Sequence, residues 1–132
     1  MPRDGAPPPA AFQYALLRVV PRVERGEAMN AGVVLLCRPR RFIGTRVALD
    51  ERRLEAIARD ADVEAIRGHL RGIERIAVGD DAAGPIAGLS PAERFHWLVA
   101  PSSTVIQPSD VHTGLTDDPE AELDRLFRAL VL

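Results

Sequence analysis

The sequence predicts a single α+β domain in which a mainly antiparallel sheet packs against helices. Three observations lead to this fold class. A chain of 132 residues is long enough for one hydrophobic core. Its first part contains strand-like segments with short connections, which favour antiparallel neighbours, and its later part contains apolar helical stripes that begin at capping residues. The predicted order is β-β-β-α-α-α-β-α, with residues 1–11 as a flexible arm and residues 12–132 as the domain.

The strands are predicted from segments that are rich in β-branched, aromatic and other apolar residues. The first three such segments are residues 12–20, 29–37 and 41–49. The second, MNAGVVLLC, is apolar on both faces, which is typical of a central strand covered on each side. Gly26 lies in the connection before it and is free to adopt a positive φ. A short fourth strand is predicted at 102–107, followed by an irregular loop over 108–116.

Four helices are predicted from capping residues that precede apolar stripes. The predicted N-caps, in chain order, are Asp50, Asp62, Ser90 and Asp118. Gly79 is expected to end the second helix. In the third helix, Glu93 stands three residues after Ser90 and completes a capping box. Sequence spacing therefore defines where each helix begins.

The charge of the chain is unevenly distributed. Residues 1–53 carry a formal charge of +5 and residues 54–132 carry −7, which gives the net charge of −2. The asymmetry would suit a basic face that binds an anionic partner. We favour the interpretation that basic and acidic side chains are simply exposed to solvent at different edges of one domain. A pI near 5.9 argues against binding to nucleic acid. All 17 basic residues are arginine, which we attribute to genome composition.

Composition also predicts a cytoplasmic protein without a metal or cofactor. No segment approaches the roughly 20 apolar residues of a membrane span, and the start, MPRDGAPPPAAF, lacks the apolar core of a signal peptide. Cys37 is the only cysteine, so no internal disulfide is expected. The three histidines, His69, His96 and His112, do not show the spacing of zinc ligands.

A group of polar residues stands on either side of the connection between the first two strands. Arg18, Arg25, Glu27 and Asn30 are candidates for one site at the sheet edge, where arginine and asparagine would hold a small polar ligand or a charged group of a partner. In the alternative interpretation they brace a hairpin: Glu24 or Glu27 pairs with Arg18, and Asn30 satisfies backbone groups. The residues alone leave both interpretations open.

Two later motifs supply the remaining candidates. In ERFHWL, Arg94 and Trp97 lie one helical turn apart and share a face. A cation–π pair is the structural interpretation, and an aromatic platform for a ring is the functional one. In SSTVIQPSDVHTG, Ser103, His112 and Thr113 are candidate contacts for a ligand or partner. The spacing of serine and histidine matches no nucleophile motif, so catalysis is not predicted from this pair.

The segments YALLRVVPRVERGEAMNAGVVLL and ERFHWLVAPSSTVIQPSDVHTGLTDDPEAELDRLF resemble an uncharacterised bacterial family, domain of unknown function 3037. The resemblance covers about residues 14–127. It includes the candidate residues Arg18, Arg25, Glu27, Asn30, Arg94, Trp97, Ser103 and His112. Genes of this family often neighbour genes for HipA-like kinases, which implies a HipA-like kinase as a candidate partner. The family implies no activity.

Two functional hypotheses follow from these features. The first is a small cytoplasmic accessory protein that works by binding, with a HipA-like kinase as its partner. The second is an enzyme, or a nucleotide- or anion-binding protein, that uses Arg18, Glu27, Asn30, Arg94 and His112. The second requires these distant residues to meet in one pocket. The sequence assigns no oligomeric state.

Overall fold

The computed structural model describes residues 8–102 and 104–132, which contain five antiparallel strands and four α-helices joined by loops and short 3-10 turns. The elements are β1 (Ala10–Val19), β2 (Met29–Cys37), β3 (Phe42–Val47), α1 (Glu51–Ile57), α2 (Val63–Val78), α3 (Pro91–Leu98), β4 (Ile106–Pro108), β5 (His112–Thr116) and α4 (Pro119–Leu130). The predicted α+β fold, a mainly antiparallel sheet with packed helices, is confirmed. None of the described helices has the length and apolar character needed to cross a bilayer.

The sheet has the order β3-β2-β1, and both β4 and β5 lie beside the outer side of β1. β5 pairs with the first half of β1 and β4 with its last residues. Between β4 and β5, Ser109 forms two hydrogen bonds with Leu16 of β1. The Leu16 amide donates to Ser109 Oγ at 2.8 Å, and the Ser109 amide donates to the Leu16 carbonyl at 2.8 Å. β4 and β5 therefore act as one interrupted edge strand.

Each face of the sheet carries its own hydrophobic core. On the three-helix face, α1, α2 and α3 bury Leu54, Ile66 and Phe95 against the sheet. On the opposite face, which we call the α4 face, Leu123 and Leu126 pack against strand residues. Residues 31–37 of β2 are buried and contribute to both cores. The prediction that β2 is a central strand with two covered faces is thus confirmed.

A β-bulge interrupts the pairing of β1 with β2. The register passes from Leu17 opposite Gly32 to Arg18 opposite Asn30, so Ala31 is an extra residue. The bulge is crowded: a Cβ on Gly32 would lie 3.0 Å from the Arg46 carbonyl oxygen. Beyond the bulge, Asn30 and Arg18 both lie on the α4 face of the sheet.

The predicted caps agree with the structure. The four N-cap side chains of Asp50, Asp62, Ser90 and Asp118 each accept a hydrogen bond from a backbone amide three residues later. Glu93 closes the capping box with Ser90. Gly26 and Gly79 both have a positive φ, of 71° and 75°. Local sequence therefore defines the helix starts and these two chain reversals.

The predicted strand and loop between α3 and α4 need correction. The strand expected over 102–107 is β4, which covers Ile106–Pro108, and the loop expected over 108–116 contains β5. β5 forms because β1 offers it a partner about a hundred residues away. β1 itself begins at Ala10, within the predicted arm of residues 1–11. Residues 1–7 of that arm lie outside the described residues.

Candidate functional site

Arg18 and Asn30 lie opposite each other on β1 and β2, on the α4 face. Asn30 Nδ2 donates to the Leu130 carbonyl at 2.9 Å. The last carbonyls of a helix have no partner within the helix, so this amide satisfies the end of α4. Asn30 therefore fixes the position of the helix end over the sheet.

The guanidinium of Arg18 makes no ion pair or hydrogen bond within the part of the chain that is described. Its side chain is half-buried between Asn30 of β2 and Gln107 of β4. The Nε atom is buried and has no hydrogen-bond partner. An unsatisfied buried donor is unfavourable by about 1–3 kcal/mol. Arg18 is thus a cation that the described fold leaves without a counter-ion.

His112 shares the α4 face with Arg18. It stands opposite Tyr14 in the pairing of β5 with β1, and the two rings lie 5.2 Å apart. Tyr14, Leu16 and Arg18 alternate along β1 and so face the same side. α4 packs on β2 and β3 and leaves these side chains only partly covered. We call Tyr14, Leu16, Arg18 and His112 the open sheet face.

Arg25 and Glu27 pair with each other in the connection between β1 and β2. Arg25 is exposed, and Glu27 is partly exposed. No hydrogen bond or ion pair within the described residues links them to Arg18 or Asn30. The four residues predicted to converge therefore fall into two separate groups, the ion pair of Arg25 with Glu27 and the cross-strand neighbours Arg18 and Asn30. The cross-hairpin pair of Glu27 with Arg18 is replaced by a local one.

Arg94 lies on the other side of the sheet, where it stabilises the end of α2. Its Nη1 donates to the carbonyls of Ile76 and Ala77, at 3.2 and 2.9 Å. The guanidinium sits so close to Gly79 that a Cβ there would lie 2.8 Å from Nη1. The role of Arg94 is to satisfy a helix C-terminus.

Trp97 is half-exposed and lines a cleft of about 250 Å³ between α2, α3 and β4. His69 and Ile73 of α2 and Ile106 of β4 are among the other lining residues. The hydroxyl groups at its rim bond to one another, with Ser102 Oγ 2.8 Å from Thr104 Oγ1. Ser103, predicted as a contact residue, lies outside the described residues. The cleft is mainly apolar, and its hydroxyls already have partners.

Thr113 is exposed on β5 opposite Gln13. Because neighbouring strand residues point to opposite faces, Thr113 and His112 face different sides of the sheet. Arg18, Asn30 and His112 therefore share the α4 face, whereas Arg94 and Trp97 lie on the three-helix side. The structure does not bring the arginine, glutamate, asparagine and histidine candidates into one pocket.

Sequence reasoning missed an ion pair that joins two connections. Arg22 Nη2 donates to both carboxylate oxygens of Asp60, at 2.9 and 2.8 Å, beside a cleft of about 410 Å³. The Arg22 hydrogen bond is the main cause of a pKa of Asp60 below its usual range. The partners are 38 positions apart, so no local motif could have indicated the pair. In residues 8–102 and 104–132, no group of three or more His, Cys, Asp or Glu could hold a metal ion.

A comparison with protein families identifies the family of this chain. The profile of a family described as "Protein of unknown function (DUF3037)" matches residues 14–131. The chain belongs to the DUF3037 family. The resemblance inferred from the sequence is thereby confirmed, and the DUF3037 region extends from Tyr14 in β1 to the end of α4. Neither the curated proteins nor the solved structures include a match to this chain.

Asn30→Ala should lower the free energy of unfolding by about 0.5–1.5 kcal/mol, because the hydrogen bond to the end of α4 is lost. Asn30→Asp should lower it further, since a carboxylate would face the negative end of the helix. Glu27→Ala is the control and should change stability by about 0.5 kcal/mol or less, as it removes only an exposed pair. Urea denaturation measures all three. Equal effects at positions 27 and 30 would contradict the helix-end role of Asn30.

Proposed function

We propose that this protein is a non-enzymatic accessory protein that binds a protein partner through the open sheet face. The observation that carries the proposal is the half-buried guanidinium of Arg18, which has no ion pair or hydrogen bond with any described residue. A carboxylate from a partner would accept its hydrogen bonds in the strong, charge-assisted geometry that arginine favours. The open sheet face would then gain a counter-ion on binding.

The surroundings of Arg18 favour a protein surface over a small anion. Tyr14 and Leu16 offer apolar area beside the cation, and aromatic residues and arginine are enriched at protein interfaces. Tyr14, whose ring lies 5.2 Å from that of His112, is four residues along β1 from Arg18. At about 3.3 Å per residue this is roughly 13 Å, too far for one phosphate or carboxylate to touch both ends. The face suits an extended partner surface with an acidic residue at one end.

The partner we propose is a HipA-like kinase, which is the partner that the resemblance in sequence implies. We propose the cytoplasm as the location. The thiol of Cys37 is buried and its Sγ lies 3.5 Å from the Ala11 carbonyl oxygen, which accords with a chain that needs no oxidising compartment. Binding by one face would leave the Trp97 cleft unused.

Co-purification with a HipA-like kinase tests the proposal. Arg18→Glu should weaken kinase binding by about tenfold or more, because it replaces the attracted cation with a repelled anion. Arg52→Glu is the matched control: it makes the same charge change at an exposed position of α1 and should leave binding unchanged. Isothermal titration calorimetry gives the affinities, and circular dichroism checks that both variants are folded.

Two results would contradict the proposal. One is a tagged protein that recovers no kinase at low salt. The other is an Arg18→Glu variant that binds the kinase as tightly as the unmodified chain does. A thermal shift caused by ATP or inorganic phosphate in the unmodified chain, and lost in Arg18→Glu, would instead favour an anion-binding protein.

A further inference from the structure

We propose that the free edge of β5 binds an extended peptide segment of a partner, which adds to the sheet as a further strand. The proposal rests on the function proposed above for the existence of a protein partner, and it adds where and in what conformation the partner docks. We call the side of His112–Thr116 that faces away from β1 the β5 edge. Main-chain hydrogen bonds would supply affinity in this mode of recognition.

The direction of the backbone groups of β5 follows from Leu16. Both the amide and the carbonyl of Leu16 bond to Ser109, so they point towards the edge strand. Along a strand these groups alternate in direction, so those of Tyr14 and Phe12 also point to β5. Their partners His112 and Gly114 therefore bond to β1. The amides and carbonyls of Thr113 and Leu115 point outwards, where no strand of the described residues pairs with them.

Two residue types that often protect an exposed edge are missing from the β5 strand. Natural edge strands carry lysine, proline or a covering helix, whereas the sequence HTGLT contains neither residue. Thr113 is exposed, and Leu115 is 69% exposed. Five residues offer roughly 17 Å of edge at about 3.4 Å per residue. An apolar side chain on the added strand could cover Leu115.

The charges that flank β5 indicate which kind of segment binds at its edge. Asp110 stands before β5 and Asp118 after it, and both are exposed. If β5 paired along its full length with a second copy, in antiparallel register about Gly114, Asp110 would lie opposite Asp118 of the other copy. Like charges directly opposite are unfavourable. The edge therefore suits a different segment, one with arginine or lysine at its ends and β-branched residues between.

A synthetic peptide of that kind tests the proposal. The probe is a short capped peptide with arginine at each end and alternating valine and threonine between, and its counterpart has glutamate at each end. The arginine peptide should bind at least about tenfold more tightly at low salt. It should also slow hydrogen exchange of the Thr113 and Leu115 amides by about tenfold or more. Unchanged exchange at these two amides would overturn the proposal, and so would equal binding of both peptides.

Two variants at position 113 test the contribution of the outward-pointing backbone amide of Thr113. Thr113→Pro removes it without removing a bond to β1, and proline is tolerated on edge strands in this orientation. We expect the variant to fold, and to bind the arginine peptide at least about tenfold more weakly than Thr113→Ala, which keeps the amide. Leu115→Pro compared with Leu115→Ala repeats the test at the second outward amide. Equal binding within both pairs would overturn the proposal.

The kinase experiment separates the two proposals. If Thr113→Pro still binds the kinase while Arg18→Glu does not, the edge inference is overturned and the proposed function stands. If the arginine peptide binds and protects both amides but no kinase is recovered, the kinase proposal fails and the peptide-binding edge is supported.

Discussion

Phe95→Ala is expected to lower the free energy of unfolding by about 3–5 kcal/mol, the range for truncating a buried aromatic residue. Phe95 is the largest fully buried side chain among the described residues, with no exposed area. It projects from α3 into the core of the three-helix face. The substitution removes the ring and leaves a cavity that the flanking helix and strands fill only in part. Equilibrium unfolding in urea measures the change.

Trp97→Ala provides the matched comparison, because it truncates a larger aromatic residue on the same short helix. Trp97 is 50% exposed and lines a cleft instead of the core. Its loss should lower stability by about 1 kcal/mol, the centre of the distribution for single substitutions. If the two variants were equally destabilised, α3 would not be anchored by Phe95.

Leu123→Ala is expected to lower the free energy of unfolding by about 2–5 kcal/mol. Leu123 is fully buried and holds α4 against β2 and β3, where its Cδ2 would lie 2.8 Å from a Cβ placed on Gly44. Because Asn30 bonds to the last turn of α4, a loosened helix should also change the environment of the Asn30 side-chain amide. Urea denaturation gives the stability, and the NMR signal of that amide reports the helix position.

Leu115→Ala tests the same chemical change on the exposed edge. Leu115 is 69% exposed, so its truncation should change stability by about 0.5 kcal/mol or less. A large loss of stability in Leu115→Ala together with a small loss in Leu123→Ala would contradict the placement of Leu123 in the core and Leu115 on the exposed edge.

Features determined by nearby residues were predictable from the sequence. Asp62 and Gly79 delimit α2 because a side-chain cap and a left-handed residue act within one turn of the chain. The apolar run of β2 indicated a strand with two covered faces, and the structure buries it in that way. These signals depend on spacing along the chain, which the sequence displays directly.

Features that depend on distant partners were not predictable. HTGLT has no strong strand signal, and it becomes β5 through its pairing with β1. Asn30 is a candidate by residue type, but its acceptor is the Leu130 carbonyl 100 positions away. Arg94 and Trp97 share a helix face in the sequence pattern, yet Arg94 is directed to the end of α2. No local rule identifies such partners.

Arg18 illustrates the same limit for the candidate site. Sequence reasoning selected it as a polar residue at the end of an apolar strand, with two open interpretations. What distinguishes it in the structure is that its half-buried guanidinium has neither an ion pair nor a hydrogen bond within the described residues. This property depends on every element that surrounds it, and so it emerges only in three dimensions.

The bulge at Ala31 has a consequence for how related chains are aligned and edited. Ala31 and Gly32 both lie on the Leu17 side, so β2 contains one spare residue at this point. Removing Ala31 would restore regular alternation, with Gly32 opposite Leu17 and Asn30 opposite Arg18 as before. A one-residue gap at position 31 is therefore compatible with the same fold and the same orientation of both partners. A single deletion between Val33 and Leu36 would instead move the side chains between the deletion and the bulge to the opposite face of the sheet.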